Sequence, residues 1–286
     1  MQTLNSLDPL RRAVAVLRQS GKIALVPTMG ALHEGHLTLV REARRQADHV
    51  VVSIFVNPLQ FGANEDLDKY PRQLEADCAL LKAEGVALVW APTVEAMYPQ
   101  GFATNISVSG VSEGLCGASR PGHFDGVATV VCKLFHQVLP DVALFGEKDW
   151  QQLAVIRRMA RDLDLVQPHV DAVIGVATVR EEDGLAKSSR NAYLSQEQRA
   201  QAVALPTAMK DAISRIEAGE PVSATLARLQ ETLLAGGFSA VDYAELRDAS
   251  SLIQLEERGA APMRLLVAAR IGATRLIDNM AVAAEW

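Results

Sequence analysis

Two short apolar runs on either side of a segment with helical spacing constrain the fold of this chain most strongly. Residues 22–27 (KIALVP) and 50–56 (VVVSIFV) are mostly apolar, which is typical of strands buried on both faces of a parallel sheet. Between them, residues 35–47 place Leu37, Val40 and Ala43 on one helical face. Because parallel strands need a crossover connection, usually a helix, this order predicts a strand–helix–strand unit.

The same alternation continues along the chain. It predicts helices at 72–84, 126–139 and 149–162, and strands at 87–90, 142–145 and 171–176. Beyond residue 177 we predict helices at 195–218 and 222–235, followed by strands at 241–246, 264–269 and 274–278. The fold class is therefore α/β, with a Rossmann-like doubly wound parallel sheet over residues 1–176 and a smaller α+β C-terminal domain over 177–286.

Charge and cysteine content narrow the functional classes. The formal net charge is −6, whereas nucleic-acid-binding proteins usually present a basic face. The three cysteines are odd in number and widely spaced, which argues against a disulfide framework or a zinc ribbon and fits a reducing compartment. We find neither a signal-peptide pattern nor an apolar run that could span a membrane, so we expect a cytoplasmic protein without nucleic-acid or membrane partners.

The segment 27–36 (PTMGALHEGH) lies where the first predicted strand passes into the first predicted helix. A helix N-terminus offers unpaired N–H groups and the positive end of the helix dipole, which suit a phosphate. Gly30 and Gly35 would let the backbone approach a ligand, and His33 and His36 would point to the same place. The segment therefore predicts a phosphate-binding turn at the carboxyl edge of the sheet.

Three other interpretations of this segment stay open on the local sequence. The histidine pair could bind a metal, although the zinc motif H-E-x-x-H has a different spacing. The histidines could also be capping residues at the surface. A dinucleotide site is the third alternative, but both G-x-G-x-x-G and the Walker sequence are absent.

Two further segments carry candidate ligand-binding residues. Residues 187–190 (KSSR) combine two cations with two hydroxyls, which suits a polyphosphate, although a solvated basic loop would look the same. Residues 145–149 (FGEKD) follow a predicted strand and precede a predicted helix, so Lys148 could reach a phosphate at the sheet edge. Asp149 could equally be a helix cap.

Together these segments resemble the nucleotidylyl-transferase superfamily, which includes the class I aminoacyl-tRNA synthetases with their HIGH and KMSKS motifs. Within it, the chain is similar to the pantothenate synthetase (pantoate–β-alanine ligase) family. The matching stretches are 26–36 (VPTMGALHEGH), 52–61 (VSIFVNPLQF), 70–72 (YPR), 120–126 (RPGHFDG), 145–152 (FGEKDWQQ), 188–194 (SSRNAYL) and 276–279 (LIDN).

The resemblance implies an enzyme that condenses (R)-pantoate with β-alanine at the expense of ATP, through a pantoyl-adenylate, releasing AMP and pyrophosphate. It implies ATP contacts at Met29, Gly30, Ala31, Leu32, His33, Glu34, Gly35, His36, Gly146, Glu147, Lys148, Asp149, Val179, Lys187, Ser188, Ser189 and Arg190. Within that set it implies catalytic roles for His36, as proton donor, and for His33, Lys148 and Arg190.

The resemblance also implies a pantoate site. Its residues are Gln60 and Gln152 for the polar groups, Pro27, Met29, Phe55, Val130 and Val131 for the gem-dimethyl group, and Asn57 beside the reacting centre. Mg²⁺ is implied as the partner of ATP, held through phosphate oxygens and water without a named protein ligand. A homodimer is implied in the same way.

Two other functions compete with this one. A nucleotidyltransferase acting on a phosphorylated acceptor would need a basic acceptor pocket where this chain has Gln60 and Gln152. A non-catalytic nucleotide-binding regulator would not need His33, His36, Lys148 and Arg190 together.

Overall fold

The fold is built on a parallel sheet, seen in a computed structural model that describes residues 1–62 and 67–285. The strands of this sheet are β1 (Gln2–Leu4), β2 (Ile23–Thr28), β3 (His49–Ile54), β4 (Leu88–Trp90), β5 (Val142–Gly146) and β6 (Val173–Val176). Their spatial order is β1–β4–β3–β2–β5–β6, and every pair is parallel.

Helices cover both faces of this sheet. Those preceding residue 177 are α1 (Leu7–Arg18), α2 (Glu34–Gln46), α3 (Leu74–Ala83), α4 (Val94–Met97), α5 (Leu115–Ser119), α6 (His123–Val138) and α7 (Trp150–Asp162). Helices α1, α6 and α7 pack against Leu25 and its neighbours on one face, while α2 and α3 pack against Val26 on the other. Successive side chains of a strand point to opposite faces, so both faces had to be apolar. The predicted doubly wound α/β fold is confirmed.

The strand order reverses at β2, which pairs with β3 on one side and with β5 on the other. This is a topological switch point, where the loops leaving the two strands separate and open a crevice at the carboxyl edge of the sheet. The segments that leave β2 and β5 are 29–33 and 147–149, which are the turns that the sequence predicts to bind phosphate.

A second, antiparallel sheet follows, formed by β7 (Ala240–Asp248), β8 (Met263–Ile271) and β9 (Thr274–Val282). It is preceded by α8 (Gln196–Gln201), α9 (Ala204–Glu217) and α10 (Val222–Ala235). These elements share their own apolar cluster, in which Met209, Leu229 and Val267 are buried. The predicted order of helices first and strands afterwards is confirmed.

The sequence analysis missed strand β1 and helices α1, α4 and α5. Strand β1 is too short and polar to form an apolar run and is defined by its pairing with β4. The single helix predicted over 195–218 is broken between α8 and α9. Pro206 explains the break, because it has no N–H and its ring would clash with the carbonyl of Ala202 in a continuous helix.

Candidate active site

A cavity of about 210 Å³ opens at the switch point. It is lined by the turn after β2, by the turn after β5 and by residues 176–179 and 187–190. It adjoins a larger cavity of about 800 Å³ that is bounded by strands of the antiparallel sheet and by helices and loops on either side of residue 177. Lys148, Gln152, Ser188 and Arg190 line both cavities, so together the two spaces form one cleft with two lobes.

Most of the predicted site residues line the smaller cavity. They are Pro27, Met29, His33, Gly35, His36, Phe55, Gln60, Val131, Gly146, Lys148, Asp149, Gln152, Val179, Lys187, Ser188, Ser189 and Arg190. The predicted residues that do not line it are Gly30, Ala31, Leu32, Glu34, Asn57, Val130 and Glu147. The structure therefore brings most of the predicted polar side chains together in one cavity, and seven predicted residues do not line it.

His33 and His36 cap the helix that they begin. The Nδ1 atom of His33 accepts a hydrogen bond from the Gly35 N–H at 3.1 Å, and the Nδ1 atom of His36 accepts one from the His33 N–H at 3.3 Å. This is a capping box built from imidazoles. A Cβ atom at Gly35 would lie 2.9 Å from the His33 ring, so this glycine makes room for the ring. The capping interpretation is thus confirmed.

The expectation that this helix N-terminus offers free N–H groups was largely wrong. The Gly30 N–H donates to the Thr28 hydroxyl, and those of Ala31 and Leu32 donate to Asp77 at 2.9 Å each. The His33 and Gly35 N–H groups are taken by the capping box. Side chains, rather than the backbone of this turn, are therefore the main groups available to an anion.

Both imidazoles are neutral hydrogen-bond donors near pH 7. Burial lowers the pKa of His33 to about 4, and the Lys148 and Lys187 ammonium groups add to the effect. Burial, then His33 and Lys148, lowers the pKa of His36 to about 3. Because each Nδ1 accepts a backbone hydrogen bond, the single ring proton is on Nε2. Neither Nε2 atom is hydrogen-bonded to a residue that the structure describes, so each can donate to a ligand.

Asp77 of α3 is a functional residue that the sequence analysis missed. Its side chain is fully buried, and its two carboxylate oxygens accept the hydrogen bonds from the Ala31 and Leu32 N–H groups. Ala31 has a φ of 52°, a conformation that a non-glycine residue rarely adopts. The carboxylate therefore stabilises an unfavourable turn from 45 residues further along the chain. A lone acidic residue in a predicted helix gives no signal of such a contact.

The loop that carries Lys187 is folded back beside β6. The Lys187 N–H donates to the Val179 carbonyl at 2.9 Å, so the segment between them forms a hairpin. This pairing brings the segments 176–179 and 187–190 side by side, so both line the smaller cavity. The Lys187 ammonium lies 2.7 Å from a Glu181 carboxylate oxygen. Tyr70, whose hydroxyl is 3.4 Å from that of Ser189, also lines the smaller cavity and is not among the predicted site residues.

Lys148 and Asp149 lie on the turn between β5 and α7. Their charged groups are 3.6 Å apart, and the Lys148 side chain is only 18% exposed. Asp149 occupies the N-cap position of α7, as the capping alternative has it, but its side chain makes no capping hydrogen bond there. The turn therefore places one ammonium in the cavity between the histidines and the 187–190 loop.

Gln60 is held by a network of buried polar groups. Asn57 donates to its side-chain oxygen at 3.2 Å and to the Gly126 carbonyl at 3.0 Å. His123 Nδ1 donates to the Gln60 carbonyl at 2.8 Å, and Arg120 bonds both to that carbonyl and to the His123 ring. The segment 120–126 thus positions Gln60 from behind, a role that the sequence left unassigned.

The apolar wall of the cavity follows the helical repeat of α6. Val131 lines the cavity together with Val127, which is one helical turn earlier. All three valines are buried in the same core cluster, but Val130 does not line the cavity, because a residue next to Val131 on a helix is rotated by about 100° from it. The wall is therefore Val127 and Val131 rather than Val130 and Val131.

Gly126 lets α6 approach the segment that carries Gln60. A Cβ atom there would lie 2.3 Å from the Leu59 carbonyl oxygen and 2.7 Å from the Gln60 nitrogen. We expect Gly126→Ala to displace that segment and to lower the free energy of unfolding by about 1–3 kcal/mol, as overpacking does. Thermal unfolding would measure this. Gly259→Ala is the control, since a Cβ there meets nothing within 4 Å. An unchanged stability of the Gly126→Ala protein would contradict the expectation.

The fold and the cleft define a Rossmann-like α/β protein with a crevice at its switch point that is lined by two imidazoles and three cations. The sequence model of the family described as Pantoate-beta-alanine ligase matches residues 2–281. A pantothenate synthetase of Novosphingobium aromaticivorans is 70% identical over 283 residues, covering 99% of both chains. The chain therefore belongs to the pantoate–β-alanine ligase family and is a ligase.

Further comparisons agree. A pantothenate synthetase of Sphingopyxis alaskensis is 60% identical over 283 residues, covering 99% of this chain and all of that protein. The crystal structure of pantothenate synthetase from Thermus thermophilus superimposes with a TM-score of 0.89 at 49% identity, over 98% of this chain and 99% of that one. That of the ligase from Francisella tularensis, complexed with β-γ ATP and β-alanine, has a TM-score of 0.83 at 31% identity, over 98% and 97% of the two chains.

Two features are absent from residues 1–62 and 67–285. They contain no helix with the length and apolar character needed to cross a bilayer. They also contain no cluster of three or more His, Cys, Asp or Glu side chains arranged to hold a metal ion.

Proposed function

We propose that this protein condenses (R)-pantoate with β-alanine at the expense of ATP, through a pantoyl-adenylate, and releases AMP and pyrophosphate. The observation that carries the proposal is the make-up of one cavity. Its phosphate-binding groups (His33, His36, Lys148 and the 187–190 loop) lie together with two amides, Gln60 and Gln152, and an apolar wall. This is the donor set that a triphosphate and a branched hydroxy acid require together.

In the first step, a carboxylate oxygen of pantoate forms a bond to the α-phosphorus of ATP, and pyrophosphate leaves with the electrons of the broken P–O bond. Negative charge grows on the phosphate oxygens. Lys148, Arg190 and the neutral Nε2–H groups of His33 and His36 supply the opposing charges and donors. The hydroxyls of Ser188 and Ser189 complete the set around the leaving group.

The protonation state of His36 determines what kind of donor it can be. A histidine with a pKa of about 3 is not charged near neutral pH, so in the free protein it offers a hydrogen bond rather than a proton. We therefore propose that His36 stabilises the charged phosphate as a fixed donor. Its capping bond keeps Nε2 as the protonated atom.

Pantoate would lie at the other end of the cavity. The amides of Gln60 and Gln152 can pair with its hydroxyl and carboxylate groups. Met29, Phe55 and Val131 would surround its two methyl groups. Gln60 is suited to this task because the buried network around Asn57 and His123 fixes its position before substrate binds.

In the second step, the free amine of β-alanine attacks the acyl carbon of the adenylate. The bond between that carbon and the AMP oxygen breaks, AMP leaves, and the amine nitrogen loses a proton to solvent. We propose that β-alanine enters through the larger of the two cavities, which is lined by Arg120, Arg270 and Arg275. These cations suit an amino acid that carries a carboxylate.

Magnesium is a further part of the proposal. Mg²⁺ would neutralise the phosphates of bound ATP. Among the described residues that line the smaller cavity, Asp149 supplies the carboxylate, 45% exposed, that could hold its waters.

We further propose a domain division after residue 176, where β6 ends, with residues 177–286 acting as a lid that carries the 187–190 loop. A homodimer and a cytoplasmic location are proposed from the family alone.

Exchange of labelled pyrophosphate into ATP would test the function. We expect exchange that depends on pantoate and needs no β-alanine, together with pantothenate formation once β-alanine is added. Exchange only with a phosphorylated acceptor would favour the alternative nucleotidyltransferase. ATP binding without exchange for any acid would favour the regulator, and either result would overturn the proposal.

A further inference from the structure

Two adjacent residues of β9, Asp278 and Asn279, bond to both segments that line the phosphate end of the cleft. They are 2% and 3% exposed, although both are polar. They belong to the second sheet, whereas the turn at 147–149 belongs to the first. Buried polar groups are retained at a cost in desolvation, so their partners indicate what they are for.

Asn279 holds the turn after β5. Its Nδ2 donates to the Glu147 carbonyl at 2.9 Å and to the Lys148 carbonyl at 2.8 Å. These two bonds use both N–H groups of the amide and fix two successive peptide units. The backbone from which the Lys148 ammonium extends is thus held by the second sheet.

Asp278 holds the base of the other segment. Its carboxylate accepts two hydrogen bonds from Arg180, at 2.7 and 2.9 Å, in a bidentate pair. Arg180 also donates to the Gly184 carbonyl at 3.0 Å and pairs with Ala186 across the hairpin. The next residue of that hairpin is Lys187, where the predicted phosphate-binding loop begins.

The two contacts are coupled to each other. The backbone N–H of Asn279 donates to an Asp278 carboxylate oxygen at 2.7 Å, so the Asp278 carboxylate is fixed to the peptide unit that carries the Asn279 side chain. The distance between the 147–149 turn and the 180–187 hairpin is therefore set by one dipeptide of β9.

We propose that Asp278 and Asn279 are positioning residues for ATP, which hold Lys148 and the 187–190 loop at the separation that the triphosphate requires. The inference rests on the proposed function, because it takes both segments to bind ATP. Neither residue needs to touch the nucleotide. A misplacement of about 1 Å in a charged clamp is enough to cost a large factor in binding or rate.

A double-mutant cycle with Asn279→Ala and Lys148→Ala would test this, with ATP affinity measured by calorimetric titration in the absence of pantoate. We expect Asn279→Ala to weaken ATP binding roughly 10-fold, since it leaves two carbonyls without their donor. In the Lys148→Ala background the same change should have less than about a 2-fold effect, because the group that it positions is gone.

Val282→Ala is the matched control. It removes a buried side chain of the same strand, 3% exposed, that packs in the apolar cluster of the second sheet and lines neither cavity. It should lower the unfolding temperature and leave ATP affinity unchanged. If Asn279→Ala behaves like Val282→Ala, or weakens ATP binding equally with and without Lys148, Asn279 is merely structural and the inference is overturned.

A second variant covers the case in which Asn279→Ala does not fold. Asp278→Asn keeps the size of the side chain and breaks the bidentate pair, so it should weaken ATP binding, and less so in an Arg190→Ala background. An equal loss in both backgrounds would overturn the inference. These measurements use ATP alone, so they can fail or succeed independently of the proposed reaction with pantoate. The proposed function fails instead if the unmodified protein shows no pantoate-dependent exchange.

Discussion

Replacing His36 with alanine should lower the rate of pantoate-dependent pyrophosphate exchange by roughly 10²–10³-fold, the loss expected when one fixed donor to a developing charge is removed. The reason is that the neutral Nε2–H of His36 is oriented by its own capping bond and partly desolvated. Its removal affects the transition state more than the ground state, so kcat should fall more than the KM for ATP rises. Initial rates of exchange at saturating and limiting ATP would measure both.

His36→Gln and His36→Asn form a matched pair for the same question. The amide nitrogen of glutamine reaches the place of Nε2, whereas that of asparagine reaches only the place of Nδ1. If His36 is a neutral donor, we expect the glutamine variant to keep activity within roughly 10-fold of the unmodified protein and the asparagine variant to resemble alanine. A glutamine variant as inactive as alanine would show that a proton, and not a hydrogen bond, is required.

Replacing Asp77 with alanine should weaken ATP binding roughly 100-fold, although we do not expect this residue to touch the nucleotide. The change leaves the buried N–H groups of Ala31 and Leu32 unpaired, and the turn that leads to His33 loses its anchor. Each of the two unpaired groups costs about 1–3 kcal/mol, so the free energy of unfolding should fall by about 2–6 kcal/mol. Titration with ATP and denaturant unfolding would measure the two effects.

Glu75→Gln is the control for Asp77, because it removes a carboxylate from the exposed side of the same helix. This variant should change neither the ATP affinity nor the free energy of unfolding. Asp77→Asn retains one acceptor and should give an intermediate loss. Unchanged ATP affinity in a destabilised Asp77→Ala protein would mean that the turn keeps its shape without the carboxylate, contrary to the role described for it.

The sequence predicted the parts of the fold and the site that depend on local patterns. The buried strands β2, β3 and β5 are apolar on both faces, and their ends mark where ligands bind in a parallel sheet. That rule is enough to bring the turns after β2 and β5 to one crevice before any coordinates are known. The capping role of the histidines could also be predicted from the sequence, because their spacing matches that of a capping box.

The parts that the sequence did not predict depend on contacts between distant residues. Asp77 and Asn279 look like ordinary helix and strand residues until their partners, 46 and 132 positions away, are known. The roles of Arg120 and His123 likewise cannot be predicted until it is known that both contact the Gln60 carbonyl. The roles that we assign to the site residues toward ATP and pantoate stay predictions, and the variants above test them.

Most backbone N–H groups of the turn at 29–33 already donate to side chains of the protein, and this affects how inhibitors can be designed. A compound designed to accept hydrogen bonds from the peptide N–H groups of Ala31 or Leu32 would have to displace the Asp77 carboxylate, which is fully buried. Acceptors aimed at the two imidazole Nε2–H groups meet no such competitor among the described residues. Uncharged isosteres of a phosphate, such as sulfamoyl groups, fit these neutral donors without needing a protonated histidine.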